Sequence, residues 1–167
     1  MDVRKRSQRQ EKRVAKEIGG KVTPASGALW GSKGDARASE FLVECKTTLT
    51  DKYILKAKTW LKIKEEALKD GLRTPVMCIE VRDGCRDYNI AVMEQTDFEA
   101  YIDDFDSIDF LSDVSHIIKT DAQSCVIRNS PLPVRIDCNW SKGQRLVCNH
   151  LVVMRWEDFL YYVVGEC

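Results

Sequence analysis

The sequence lacks the features of a membrane or secreted protein. No stretch of its 167 residues approaches the roughly 18 consecutive apolar residues that cross a bilayer. The basic segment at positions 1–6 is not followed by an apolar run, so we expect no secretory signal. The phosphate-binding pattern Gly-x-x-x-x-Gly-Lys-Ser/Thr is missing, as are internal repeats and low-complexity segments. These absences predict a globular protein of the cytoplasm that does not contact membranes.

Paired cysteine motifs are also missing. The seven cysteines are an odd number, none forms a Cys-x-x-Cys pair, and several lie in apolar, strand-like runs. This distribution is typical of reduced, buried thiols in a cytosolic protein. Cys138, Cys148 and His150 could indicate zinc, but their spacing matches no common zinc pattern and a fourth ligand is not evident. We therefore interpret them as structural.

The net charge is zero, yet the charges are unevenly distributed. Positions 1–75 carry 18 Lys and Arg against 10 Asp and Glu, whereas positions 76–167 carry 8 against 16. This asymmetry indicates a first half that binds a polyanion, although lysines on solvated helix faces explain part of it. The chain length favours one domain with a substantial core.

Hydrophobic periodicity predicts an α/β fold. The expected helices cover positions 7–18 and 55–70, and the expected strands cover 21–23, 41–46 and 74–81. Ser7 would cap the first helix, and the last of these strands is apolar enough to be central and buried. With a further strand around Asp35, the first half reads α-β-β-β-α-β. From about position 84 onward, less regular strands and helices predict an α+β extension.

Asp35, Glu44 and Lys46 form the pattern Asp, eight residues, Glu, one residue, Lys. In an extended segment Glu44 and Lys46 point to the same face, and Asp35 can reach that place from the adjoining strand. Two carboxylates bind a hard cation such as Mg²⁺, and a nearby lysine holds a phosphate or steers a nucleophilic water. Alone the spacing is unspecific, because most such triplets are solvated hairpin residues.

Three neighbouring features strengthen this pattern. Glu11 lies in line with the apolar stripe of the first helix, where burial of an unpaired carboxylate is unfavourable. Glu11 therefore lies either at the solvent-exposed start of the helix or next to a cation such as a metal. The loop at 25–34, rich in small residues, could approach a phosphate, or it is a turn with Trp30 in the core. Several basic and hydroxyl residues are further candidates for DNA contact, although for some of the lysines a solvated helix face is an equally good explanation. These candidates are Arg9, Lys12, Arg13, Ser26, Ser32, Lys33, Lys58 and Lys62.

With Glu11, Asp35 and Glu44-Cys45-Lys46 on this frame, the first half of the chain resembles the PD-(D/E)xK nuclease superfamily. Within that superfamily it is most similar to the archaeal-type Holliday junction resolvases and their phage relatives. Four features carry this similarity: the basic N-terminal helix with Glu11, a Ser-Gly loop at 26–27, the Gly-Asp pair at 34–35, and the Glu-Cys-Lys motif at 44–46. Gly34 stands where the name of the motif has proline.

The resemblance implies a restriction-endonuclease-like core, with a mixed central sheet flanked by helices. Residues 1–83 would form the nuclease core, and residues 84–167 an extension that completes the same domain. The implied catalytic residues are Glu11, Asp35, Glu44 and Lys46. Mg²⁺, with Mn²⁺ as a substitute, would be held by Asp35, Glu44 and the backbone carbonyl of Cys45, with Glu11 nearby. Lys46 would orient or activate the attacking water, and Ser26 would contact the DNA backbone.

The implied activity is metal-dependent, structure-selective cleavage of branched DNA such as a four-way junction. The resemblance further implies a homodimer in the cytoplasm, which is the host cytoplasm for a phage-encoded member. Two alternatives remain. One is a restriction- or repair-type nuclease of the same fold that cuts duplex DNA. The other is a non-catalytic DNA-binding module, against which the intact Asp35, Glu44 and Lys46 argue.

Overall fold

A mixed seven-stranded sheet forms the centre of the fold in the computed structural model. The structure describes residues 3–23, 34–112, 118–120, 123–142 and 145–165. The helices are α1 (Val3–Glu17), α2 (Ala57–Lys69), α3 (Gln95–Ala100) and α4 (Trp156–Phe159), with a 3-10 turn at Phe105–Ser107 and a π-helical turn at Leu160–Val164. The strands are β1 (Lys21–Val22), β2 (Ala36–Arg37), β3 (Phe41–Thr47), β4 (Lys52–Lys56), β5 (Thr74–Asp83), β6 (Arg86–Glu94), β7 (Ile118–Thr120), β8 (Ser124–Arg128), β9 (Val134–Lys142) and β10 (Arg145–Arg155).

The strand order of the central sheet is β1-β2-β3-β5-β6-β10-β9. β3 and β5 pair in parallel, and every other pair in this sheet is antiparallel. A second sheet has the order β4-β8-β7. Together with helices on both faces, these pairings confirm the expected α/β fold with a mixed central sheet.

Strand β3 is buried on both faces, and this fixes the direction of its side chains. Phe41, Val43 and Cys45 pack with α1, α3 and α4 on one face of the sheet. Leu42 points to the other face, where it packs with Trp60 of α2 and with the inner side of the small sheet. Glu44 and Lys46 share the face of Leu42 because side chains alternate along a strand. The predicted alternation is therefore confirmed.

Two local predictions about the first half are wrong. Helix α1 begins at Val3, so Ser7 lies inside the helix and its hydroxyl donates a hydrogen bond to the Glu11 carboxylate rather than capping the helix. The segment before α2 is strand β4, because it pairs with β8, which lies more than 60 positions later in the chain. No local pattern in the sequence signals such a distant partner.

The second half of the chain completes both sheets. β10 pairs with β6, and β9 covers β10 as the last strand of the central sheet. β8 pairs with β4 and thereby ties the small sheet to the segment that follows β3. Among the described residues, no helix is long and apolar enough to cross a membrane.

Helix α1 is attached to the sheet by polar as well as apolar contacts. Val14 and Ala15 are buried against the sheet, but so is Arg6, which is only 3% exposed. The Arg6 guanidinium donates to the carboxylate of Glu80 on β5 at 2.5 Å and to that of Asp87 on β6 at 2.9 Å. This ion pair links the start of the helix to two neighbouring strands.

We predict that Arg6→Met destabilises the fold by about 3 kcal/mol, because Glu80 is largely buried and would lose its cation. The loss is measured by urea unfolding. Adding Glu80→Gln to Arg6→Met should restore part of the stability, since the unpaired negative charge of Glu80 is then removed. Lys69→Gln, which breaks an exposed pair with Glu65, should change stability by less than about 1 kcal/mol. Equal stability of Arg6→Met and the wild type would contradict the account.

Candidate active site

The hairpin of β2 and β3 places Asp35 beside the second half of β3. Ala36 pairs with Val43, and the Asp35 backbone N–H donates to the Val43 carbonyl at 2.9 Å. The Cys45 backbone N–H donates to Asp35 Oδ2 at 2.9 Å. The Asp35 carboxylate thus occupies the place of a strand partner next to Cys45, which lies between Glu44 and Lys46.

Glycine is required immediately before Asp35. Gly34 has a φ of +63°, a left-handed conformation that glycine adopts without strain. A Cβ atom at this position would lie 2.8 Å from Leu42 Cδ1 and 3.2 Å from the Val43 carbonyl oxygen. Proline, whose φ is fixed near −65°, cannot adopt this conformation. The backbone conformation at position 34 therefore explains why this chain has glycine where the name of the motif has proline.

Glu44 and Lys46 form a pair at one end of a cavity. Lys46 Nζ donates to Glu44 Oε1 at 2.5 Å. The cavity has a volume of about 250 Å³ and lies between β3 and α2; its lining residues are Glu44, Lys46, Lys58, Thr59, Lys62, Ile63 and Glu66. A larger cavity of about 410 Å³ lies between α2 and the residues that follow it, β6 and α3, and none of the predicted site residues lines it; its lining residues include Leu61, Leu72 and Asp97.

The pKa values of two carboxyl groups show that the carboxylates influence one another. Partial burial raises the pKa of Glu11, and the charges of Asp35 and Glu44 raise it further against the opposing hydrogen bond from Ser7. Burial also raises the pKa of Glu44, with Asp35 adding to the effect and Lys46 opposing it. The structure therefore brings Glu11, from another element, into the electrostatic field of the Asp35–Glu44 pair.

Lys46 is held in its charged form. Burial lowers the pKa of Lys46, but the hydrogen bond that Lys46 donates to Glu44 and the negative charges of Glu44 and Asp35 outweigh burial and raise it overall. Tyr53 of β4 belongs to the same neighbourhood, since burial raises the pKa of its phenol while Lys46 lowers it and Glu44 raises it. Tyr53 was not predicted as part of the site, because the pairing of β4 with β8 that positions it was not expected.

The described residues contain no closed metal cage, and the carboxylates available to a cation are those of Asp35 and Glu44. Within the described ranges, no group of three or more His, Cys, Asp or Glu side chains is arranged to hold a metal ion. Mg²⁺ in proteins is usually bound by one or two carboxylates and keeps several waters. Asp35 and Glu44 offer two carboxylates; burial is the main cause of the raised pKa of Glu44, and the negative charge of Asp35 adds to it. The Cys45 thiol is buried on the opposite face, so only its backbone carbonyl is a candidate ligand.

The predicted DNA-contacting residues separate into three groups. Lys58 and Lys62 line the cavity beside Glu44 and Lys46. Arg9 and Lys12 are exposed on α1, whereas Arg13 contacts Glu17 and donates to the Asn89 side chain at 2.6 Å. Ser26, Ser32 and Lys33 lie outside the described residues.

Comparison with known proteins adds no family to this description: no family model, no curated protein and no solved structure matches the chain. The interpretation of the site therefore depends on its own geometry and on the resemblance of its motifs.

Gln10 is a second residue of the site, after Tyr53, that the sequence did not reveal. Its side chain is only 1% exposed. Its amide donates to the carbonyl oxygens of Cys78 at 3.0 Å and Lys46 at 3.3 Å, and its oxygen accepts from the Thr47 hydroxyl at 2.8 Å. Gln10 thus fixes α1, and with it Glu11, to the end of β3 and the middle of β5. A glutamine in a basic helix is normally read as a solvated residue, and nothing local marks this one as buried.

We predict that Gln10→Met destabilises the protein by about 1–3 kcal/mol, because buried groups at Cys78 and Thr47 lose their hydrogen-bond partner. Urea unfolding measures the effect. Gln8→Met is the matched control, since Gln8 is exposed on the same helix and its replacement should be nearly neutral. Equal effects of the two substitutions would show that the Gln10 contacts do not hold the helix in place.

Proposed function

We propose that this protein is a Mg²⁺-dependent endodeoxyribonuclease built on a restriction-endonuclease-like core. The observation that carries the proposal is the hydrogen bond from the Cys45 backbone to the Asp35 carboxylate. It brings Asp35 next to Glu44 and Lys46, which are paired at the mouth of a cavity lined by further lysines. Carboxylates that face a cation site, next to a lysine and a basic groove, match the chemistry of phosphodiester hydrolysis.

Each residue of the site has a role in this proposal. Asp35, Glu44 and the Cys45 carbonyl would hold the metal, with Glu11 acting from α1. When bound, Mg²⁺ would stabilise the negative charge that develops on the phosphate and make water more acidic. Lys46, which stays protonated because its pKa is raised, would donate hydrogen bonds to a phosphate oxygen or to the attacking water. Lys58 and Lys62 would hold neighbouring phosphates in the cavity.

The proposed substrate is branched DNA, with a four-way junction as its best representative, and the proposed active form is a homodimer. The support for both is the resemblance of the motifs around Glu11, Asp35 and 44–46 to junction resolvases. Two subunits would present two sites to opposite strands of one junction, as paired cuts require.

The proposal is tested by incubating the purified full chain and Mg²⁺ with a labelled four-way junction, a linear duplex and a single strand. We expect selective nicking of the junction. Asp35→Asn and Glu44→Gln should each slow it at least about 100-fold, because each removes a metal-binding charge worth several kcal/mol in the transition state. Glu40→Gln, which changes an exposed carboxylate of the same segment, should leave the rate near that of the wild type.

The outcomes separate the alternatives. Sequence-specific cutting of the linear duplex would indicate a restriction- or repair-type nuclease. Tight binding of DNA without any cleavage in Mg²⁺ or Mn²⁺ would overturn the enzymatic proposal in favour of a DNA-binding module. Cleavage that survives Glu44→Gln unchanged would show that the active site lies elsewhere.

A further inference from the structure

Three exposed lysines next to the candidate site have no ion-pair partner in the part of the chain that the structure describes. They are Lys52 and Lys56 of β4 and Lys58 at the start of α2. Other lysines of α2 differ in this respect: Lys62 pairs with Glu66 at 3.5 Å, Lys64 pairs with Glu94, and Lys69 pairs with Glu65. An exposed cluster of unneutralised cations favours a polyanionic partner.

The small sheet presents these lysines on its outer face. Tyr53 and Leu55 point inward to the core, so Lys52, Ile54 and Lys56 share the opposite face, where Ile54 is 49% exposed. Lys52 lies opposite Arg128 of β8, and Ile54 lies opposite Val126. Lys52 and Lys56 are about 13 Å apart along the strand at about 3.3 Å per residue, which equals about four steps of one DNA strand measured along the duplex axis.

Lys58, which follows this face in the chain, is its link to the candidate site, whereas the inner face of β4, with Tyr53, is the one turned towards Lys46 and Glu44. Lys58 follows Lys56 by two positions, and Lys58 and Lys62 line the cavity that contains Glu44 and Lys46. A phosphate backbone that lies along β4 would therefore lead to the carboxylates. Because β4 pairs only with β8 among the described strands, the surface depends on the second half of the chain.

We propose that the outer face of the small sheet, carrying Lys52, Ile54 and Lys56, binds the sugar-phosphate backbone of a DNA duplex arm and guides it towards Lys58 and Lys62. The inference rests on the proposed DNA substrate, but it does not require cleavage. It gives the C-terminal half a function: β8 supports the strand that holds the DNA. The apolar Ile54 between two lysines matches a backbone in which apolar sugars alternate with charged phosphates.

The test is the salt dependence of DNA binding by the full chain, measured by fluorescence anisotropy in EDTA, so that no strand is cut. Wild type and a Lys52→Gln/Lys56→Gln double variant are titrated with a labelled duplex and a four-way junction between about 50 and 200 mM KCl. We expect the double variant to bind both DNAs at least about 10-fold more weakly at low salt, with a slope of log affinity against log salt that is shallower by about 2.

Lys69→Gln is the matched control, because it removes one lysine from α2 but breaks only the exposed pair with Glu65; its affinity and slope should equal those of the wild type. An unchanged slope in the double variant, while the wild type binds DNA, overturns this inference and leaves the nuclease proposal standing. Absence of DNA binding by the wild type overturns both. If the wild type binds DNA but never cleaves it, and the double variant loses binding, the DNA-binding surface is supported and the nuclease proposal is refuted.

An acidic protein partner is the competing occupant of this surface, and a polyglutamate titration distinguishes it. If polyglutamate binds as tightly as the duplex and the double variant loses both equally, the surface is not a DNA site and the inference fails.

Discussion

The position of helix α1 on the central sheet is the constraint on which the candidate site depends. Gln10 fixes it by hydrogen bonds to the Lys46 carbonyl and the Thr47 hydroxyl at the end of β3 and to the Cys78 carbonyl in the middle of β5. Since Glu11 follows Gln10 directly, these hydrogen bonds also set where the Glu11 carboxylate lies relative to Asp35 and Glu44. Arg6, one turn earlier, anchors the same helix to β5 and β6.

The site concentrates charge at a place where β3 leaves the core. The first residues of β3 are buried on both faces, whereas Glu44 and Lys46 are only partly covered. Burial and mutual repulsion raise the pKa of Glu11 and Glu44, and Lys46 offsets only part of that repulsion. Residual negative charge of this kind makes the site receptive to a cation, and lysines around the cavity make its surroundings receptive to phosphate. The proposed phosphodiester cleavage relies on these two properties, and Glu44 and Lys46 are the site residues that line the cavity itself.

The local parts of this arrangement could be predicted from the sequence, and the long-range parts could not. Alternation along 41–46 placed Glu44 and Lys46 on one face, and the spacing to Asp35 indicated a shared site because a hairpin connects neighbours in the chain. Strand β4 and Tyr53 escaped prediction because their partner, β8, is distant in sequence. Gln10 escaped because burial of a polar side chain depends on acceptors from other elements. The start of α1 was missed since Ser7 resembles a cap but bonds to Glu11.

The most direct measurement of the central claim is the location of a bound Mn²⁺ ion. Mn²⁺ substitutes for Mg²⁺ and gives an anomalous diffraction signal, so crystals soaked in it report the position of the metal without any assumption about activity. The account predicts an anomalous peak between the carboxylates of Asp35 and Glu44, within reach of the Cys45 carbonyl, that disappears in Glu44→Gln. A strong peak elsewhere on the protein, or none at this place, would contradict it.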